Sequence, residues 1–193
     1  MKTLLTLFVL FFSSSVVGED ISDFEIEGMS IGDSLLKVFT LEEIKSHEEN
    51  YYNDNKYIPI YFDDIIKLET YEGIQFHYKY SDNEFNVVAI EGAIYFENLS
   101  EECFNKMKKV NLEIENIFLN FEKNETGLKS HQQDPSGRSK SSSIYYNFKS
   151  GYVLMGCVNW DQDMKNKYGL VDNFRLGIYT SDFQNWIDYT AYK

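Results

Sequence analysis

The stretch IEGMSIGDSLLKVF, Ile26 to Phe39, decides the fold. Within it Gly28-Met29-Ser30-Ile31-Gly32 satisfies G-x-S-x-G, the pattern that sets a nucleophilic serine on a sharp turn between a buried strand and a helix. If Ser30 is that nucleophile, the chain is a doubly wound α/β protein. If it is not, Gly28 and Gly32 are turn residues, and Asp33 or Ser34 caps a helix carrying Leu35, Leu36 and Phe39 on one face.

The surroundings favour the second reading. Asp23-Phe24-Glu25-Ile26-Glu27 makes one half-exposed strand at most, not the buried centre of a parallel sheet. Downstream the chain lacks the alternation of strand and helix that a doubly wound fold demands. Thr40-Leu41-Glu42-Glu43 reads as a capping box, with Thr40 at the N-cap and Glu43 at N3. Two short helices, about 33–39 and 41–48, therefore meet end to end.

Strands follow. Tyr57 to Phe62 is aromatic and β-branched but holds Pro59, which suits a sheet edge. Ile65 to Tyr71 leads through Glu72-Gly73 into Ile74 to Tyr80, where Ile74, Phe76, Tyr78 and Tyr80 alternate onto one face. After a turn at Ser81-Asp82-Asn83-Glu84, a long strand runs from Phe85 to Phe96, bent at Gly92. Then Cys103, Met107, Val110, Ile114, Ile117 and Phe121 step by four and three, the seam of one long helix at about 99–122 capped by Asn98 or Ser100. Residues 123–143 are poor in apolar side chains and rich in serine, and are expected to form a flexible exposed loop. Its Lys129, Arg138 and Lys140 make a basic island in an acidic chain. Strands at 144–148 and 152–160, a polar loop at 161–173, a strand at 174–180 and a C-terminal helix capped by Ser181 or Asp182 complete the chain. The fold class is α+β: one antiparallel sheet of about six or seven strands, with helices packed mainly on one face.

Composition bounds function. The chain carries a formal net charge of −13 with fifteen Phe and fifteen Tyr. Such acidity argues against nucleic acid or anionic lipid as the main partner, while leaving room for a basic partner or a divalent cation. Residues 1–18 read as a signal peptide: Lys2, an apolar run from Leu4 to Phe12, and small residues Val16 and Gly18 before the cleavage point. Residues 19–193 then form a single exported domain, periplasmic or extracellular. No later segment approaches the roughly 18 apolar residues of a membrane span, so no transmembrane anchor is expected in the mature chain.

Chemistry-bearing residues are few. Cys103 sits on the helix seam, and Cys157 shares a strand face with Val153 and Met155. In an oxidising compartment a structural disulfide is the favoured reading, stabilising by about 3–4 kcal/mol on a chain-entropy account. Two buried thiols or a catalytic cysteine are the alternatives. His47, His77 and His131 lie far apart in sequence without an HExxH or HxH pairing, and each reads as solvated rather than as a metal ligand. Asp161-Gln162-Asp163 begins like a calcium loop, but Lys165 takes the fifth position and no glycine the sixth. Asn98-Leu99-Ser100 and Asn124-Glu125-Thr126 match the glycosylation sequon, as chance matches do in so asparagine-rich a chain. No cofactor, metal or catalytic set is expected.

The lead-in DFEIEGMSIGDSLLKVFTLEEI resembles the start of a group of small exported proteins of marine alphaproteobacteria. The similarity continues through IEGAIYFEN, the helix with Cys103, FKSG, the strand with Cys157, and FQNWIDYTAYK. That group carries no assigned activity, so the resemblance adds no site residues. A narrower resemblance, over about residues 26–44, is to envelope-assembly lipoproteins of the SmpA/BamE type. These also open with a glycine-flanked loop and two short helices; here the lipid-anchoring cysteine is missing and the chain is longer. The resemblance implies a binding or assembly role. Together these features point to an exported, non-enzymatic protein that binds a protein or small ligand of the cell envelope. A small periplasmic hydrolase is the rival.

Overall fold

The computed structural model describes residues 20–63, 68–96, 101–118 and 121–193. The proposed signal peptide, the helix cap at Asn98 or Ser100 and the first sequon lie outside the described residues.

The opening stretch forms a tight turn. Ile26 and Met29 exchange backbone hydrogen bonds of 3.0 and 3.1 Å around Glu27 and Gly28, whose φ angles are 52° and 75°. Positive φ at both central residues is the mirror-image type I′ turn, which glycine permits. Glu27 accepts this backbone because its carboxylate collects the N–H groups of Glu69, Thr70 and Tyr71 at 2.8, 2.8 and 3.0 Å. Gly32, at φ 89°, makes the second turn. Ser34 then caps a single 3₁₀ turn at Leu35–Lys37, so the helix expected over 33–39 is only one turn long. Thr40 and Glu43 form the expected capping box on α1 (Leu41–Ser46). Leu35 and Ile44 are fully buried and seat both turns on the sheet.

The sheet has strands β1 (Tyr57–Phe62), β2 (Gly73–Lys79), β3 (Val87–Phe96), β4 (Glu122–Glu125), β5 (Lys129–Ser130), β6 (Lys140–Asn147), β7 (Gly151–Asn159) and β8 (Asp172–Thr180). Their order is β1-β2-β3-β8-β7-β6-β4, with β5 also on β6, and every pairing is antiparallel. This is the expected α+β fold. β1, with Pro59, is the expected edge.

Helix α2 (Glu101–Ile117) carries the chain from the end of β3 across β8 and β7 to β4 at the far edge. Its buried seam is Cys103, Val110 and Ile114, continued by Phe118 just past its end. Burying a side chain of the size of Val, Ile or Phe contributes about 1.5–3 kcal/mol. Glu122 already belongs to β4, so the helix stops short of the limit near 122 that the spacing suggests. The sulfurs of Cys103 and Cys157 stand at bonding distance, with Cα atoms 6.1 Å apart, clamping α2 to β7.

Two expectations are corrected. Segment 123–143, read as a flexible exposed loop, instead holds most of β4, all of β5 and the first residues of β6. The buried carboxylate of Asp134 organises the turn between β5 and β6. It accepts Ser136 Oγ at 2.6 Å and the Ser139 N–H at 2.7 Å, bonds that hold the carboxyl far below the ordinary carboxylate range. Segment 161–173, read as loop, contains α3 (Gln162–Tyr168), capped by Asp161 and closed by Gly169 at φ 68°. Lys165 of α3 pairs at 2.9 Å with Asp172, which is fully buried.

α1, α2 and the N-terminal turns cover one face of the sheet, over Phe62, Phe76, Met155, Phe174 and Ile178. α4 (Ser181–Tyr189) packs on the opposite face with Phe183 and Trp186 against Tyr57, Ala89, Leu154 and Tyr179. Helices therefore sit on both faces rather than mainly on one. α4 is short and covers only part of its face.

Candidate functional site

Ser30 is not built as a nucleophile. It follows the type I′ turn, its backbone N–H donates to Asp33 Oδ2 at 2.9 Å, and the sheet around it is wholly antiparallel. The three histidines do not converge. His47 ends α1, where its Nδ1–H donates to the Glu43 carbonyl at 2.8 Å and its ring stacks on Phe62. His77 packs on Phe183 and His131 on Trp160, ring centroids 4.5 and 4.3 Å apart.

Two of these overturn the solvated reading. His77 is buried under α4, paired to the Tyr52 hydroxyl at 2.9 Å, and burial pushes its pKa down to about 3. His131 lies partly covered at the other end of the same sheet face, its pKa lowered to about 4 by burial and by Arg175. Asp161 and Asp163, the start of the calcium-like pattern, are engaged instead by Arg138. Among the described residues no group of three or more His, Cys, Asp or Glu side chains is placed to hold a metal ion.

The chemistry gathers on the α4 face of the sheet, between α4 and the His131–Trp160 stack. In the central rows the pairing sets Gln75, Glu91, Gly177, Leu154 and Tyr145 across β2, β3, β8, β7 and β6. The adjoining row is Gly73, Ala93, Arg175, Gly156 and Ser143. Directly opposite residues in antiparallel strands share a face. Glu91 and Arg175 rise from these rows, with Gly177 directly opposite the first and Ala93 and Gly156 on either side of the second.

Gly177 lets Tyr179 fold back over the strand so that its hydroxyl donates to Glu91 Oε2; a Cβ there would strike the Tyr179 ring. Gly156 is equally constrained, since a Cβ would lie 2.8 Å from the Ser142 carbonyl oxygen. Tyr152 stacks on Tyr179 at 4.8 Å and 12°, and Tyr145 follows at 5.9 Å, forming an aromatic wall. Tyr51, Tyr52, Tyr192 and Trp186 make the opposing wall, joined edge-to-face at 4.6–5.3 Å. Gln75 donates to the Tyr51 hydroxyl. Burial raises the pKa of Tyr51, Tyr52, Tyr152 and Tyr179, so all four stay neutral donors at physiological pH.

Arg175 lies among Tyr145, Tyr152 and Tyr179. Among the described residues its Nε is buried without a hydrogen-bond partner, and its Nη1 lies 3.9 Å from Glu91 Oε2, beyond hydrogen-bonding range. A buried donor left unmade costs about 1–3 kcal/mol. Burial opposes its charge, but Glu91 and the surrounding tyrosine hydroxyls outweigh that, and its pKa rises above the ordinary arginine value. The side chains of Arg175 and Glu91 keep 29% and 23% of their surface exposed, so both remain reachable from solvent.

Sequence reasoning points to Trp160, Trp186 and the Tyr-rich strands as candidate binding residues but does not pick out Arg175 or Glu91. The available signal was one lone charge in each of two apolar strands, Glu91 in VVAIEGAIYF and Arg175 in NFRLGIYT. Register alone makes them neighbours. No protein-family model, curated protein or solved structure matches this chain.

Proposed function

We propose that this chain is an exported, non-enzymatic binding protein of the cell envelope, and that it binds its ligand on the α4 face of the sheet at Arg175 and Glu91. The observation that carries this reading is Arg175, a charged side chain walled by tyrosines and, among the described residues, lacking a hydrogen-bond acceptor at Nε. Folding an arginine into such a place costs stability unless a partner completes it. The leader-like N-terminus and the Cys103–Cys157 pair support export to an oxidising, periplasmic or extracellular compartment. The turn geometry at Ser30 and the separation of the histidines weigh against the hydrolase alternative.

The test is a thermal-unfolding comparison. Small-molecule extract of the native envelope is added to the exported chain and to Arg175→Gln. The expected result is a rise in the unfolding midpoint of the wild type that Arg175→Gln loses, because a ligand that binds only the folded state raises its midpoint. An equal rise in both, or none in the wild type, refutes the placement of the site.

A further inference from the structure

We infer that the ligand of this face is a small zwitterion of the α-amino-acid class, its carboxylate held by Arg175 and its ammonium by Glu91. This rests on the binding reading above and deepens it.

The argument is one of charge and reach. A ligand carrying only an anionic group would meet Arg175 but also face Glu91 at 3.9 Å from the guanidinium, within a chain of net charge −13. A purely cationic ligand would meet Glu91 and be repelled by Arg175. Each single charge is opposed at close range, where screening by salt is weakest. A molecule with both charges on neighbouring atoms satisfies both and is neutral at a distance. An α-amino acid carries its carboxylate and ammonium on one carbon, which suits a pair spaced as Arg175 and Glu91 are.

The unused hydrogen-bonding capacity fits the same shape. Tyr179 and the loose Arg175 contact both fall on Glu91 Oε2, leaving Oε1 to accept from an ammonium. Arg175 offers donors to a carboxylate, for which the planar guanidinium fork is suited. Only the small Ala93 stands directly opposite Arg175 on β3, and the tyrosine walls offer ring faces to the ligand's side chain.

Isothermal titration calorimetry decides it. The exported chain is titrated with a panel of free L-α-amino acids, with the N-acetylated and carboxamide forms of each binder, and with acetate and inorganic phosphate. We expect at least one free amino acid to bind, and either blocking group to weaken it tenfold or more. Arg175→Gln and Glu91→Gln should each weaken the free amino acid by a similar factor. Circular dichroism and the unfolding midpoint establish that these variants are folded, and the blocked ligands test the proposal on the wild type alone.

Acetate or phosphate binding as tightly as the free amino acid overturns the zwitterion and leaves the binding face standing. So does binding of no amino acid while envelope extract still stabilises the wild type through Arg175. An amino acid that binds folded Arg175→Gln and Glu91→Gln as tightly as wild type overturns both readings together.

Discussion

Removing the bridge between Cys103 and Cys157 tests how the fold is held. The two residues are 54 apart in sequence, and both are buried. Closing a loop of that length removes unfolded-chain entropy worth about 4 kcal/mol at room temperature. That is a large part of the roughly 5–15 kcal/mol that holds an ordinary domain together. For a domain of this size it corresponds to a loss of about 8–16 °C in unfolding midpoint. The bridge joins α2, which crosses between the halves of the sheet, to β7 beneath it. The assay is urea denaturation of three species: wild type, wild type under reducing agent, and Cys103→Ala/Cys157→Ala. The reduced wild type isolates the cross-link, and the double variant adds the loss of buried sulfur. Both are expected to unfold at markedly lower urea. A difference below about 1 kcal/mol between oxidised and reduced wild type would refute the entropic reasoning. Two titratable thiols in denatured, never-reduced protein would show that the bridge does not form.

Two further outcomes follow from single residues. Thr40→Ala removes the N-cap hydroxyl of α1, and with it the 3.2 Å bond it accepts from the Glu43 N–H and the 2.8 Å bond it donates to Glu43 Oε2; it should cost about 1 kcal/mol, read as a fall in urea midpoint at unchanged slope. His77 is neutral in the fold because burial pushes its pKa down to about 3, against an ordinary value of 6.5. Below pH 6.5 the unfolded chain therefore takes up a proton that the folded chain refuses. The stabilising contribution is complete above that pH and falls as pH drops toward 3, by about 2 kcal/mol between pH 6.5 and 5. His131 adds to the decline in the same direction, so the measurement is the difference between wild type and His77→Gln. Urea midpoints of the two that stay parallel from pH 7 to 5 would show that His77 is not the source.

What the sequence determined by itself is local. Capping at Thr40, turns at Gly28 and Gly32, the apolar seam of α2 and the alternation in Ile74 to Tyr78 each act within a few residues, so each was legible from spacing. The antiparallel α+β class followed, because adjacent strand-like runs without intervening helices leave few other solutions. Where local signals were weak, the reading failed. β4 and β5 are polar edge strands whose partner β6 stabilises them from outside, and Asp134 orders their return through bonds that no periodicity announces. His77 sits among polar neighbours in sequence and becomes buried only because α4, more than a hundred residues later, lies over it.

The candidate site belongs wholly to the tertiary structure. Glu91 and Arg175 are far apart along the chain and meet because β3 pairs with β8, a non-consecutive pairing set by α2 carrying the chain to the far edge. In sequence each is one charge in an apolar strand. Only register turns both onto the same face, places glycine beside each, and leaves an arginine whose cost of burial asks for a partner.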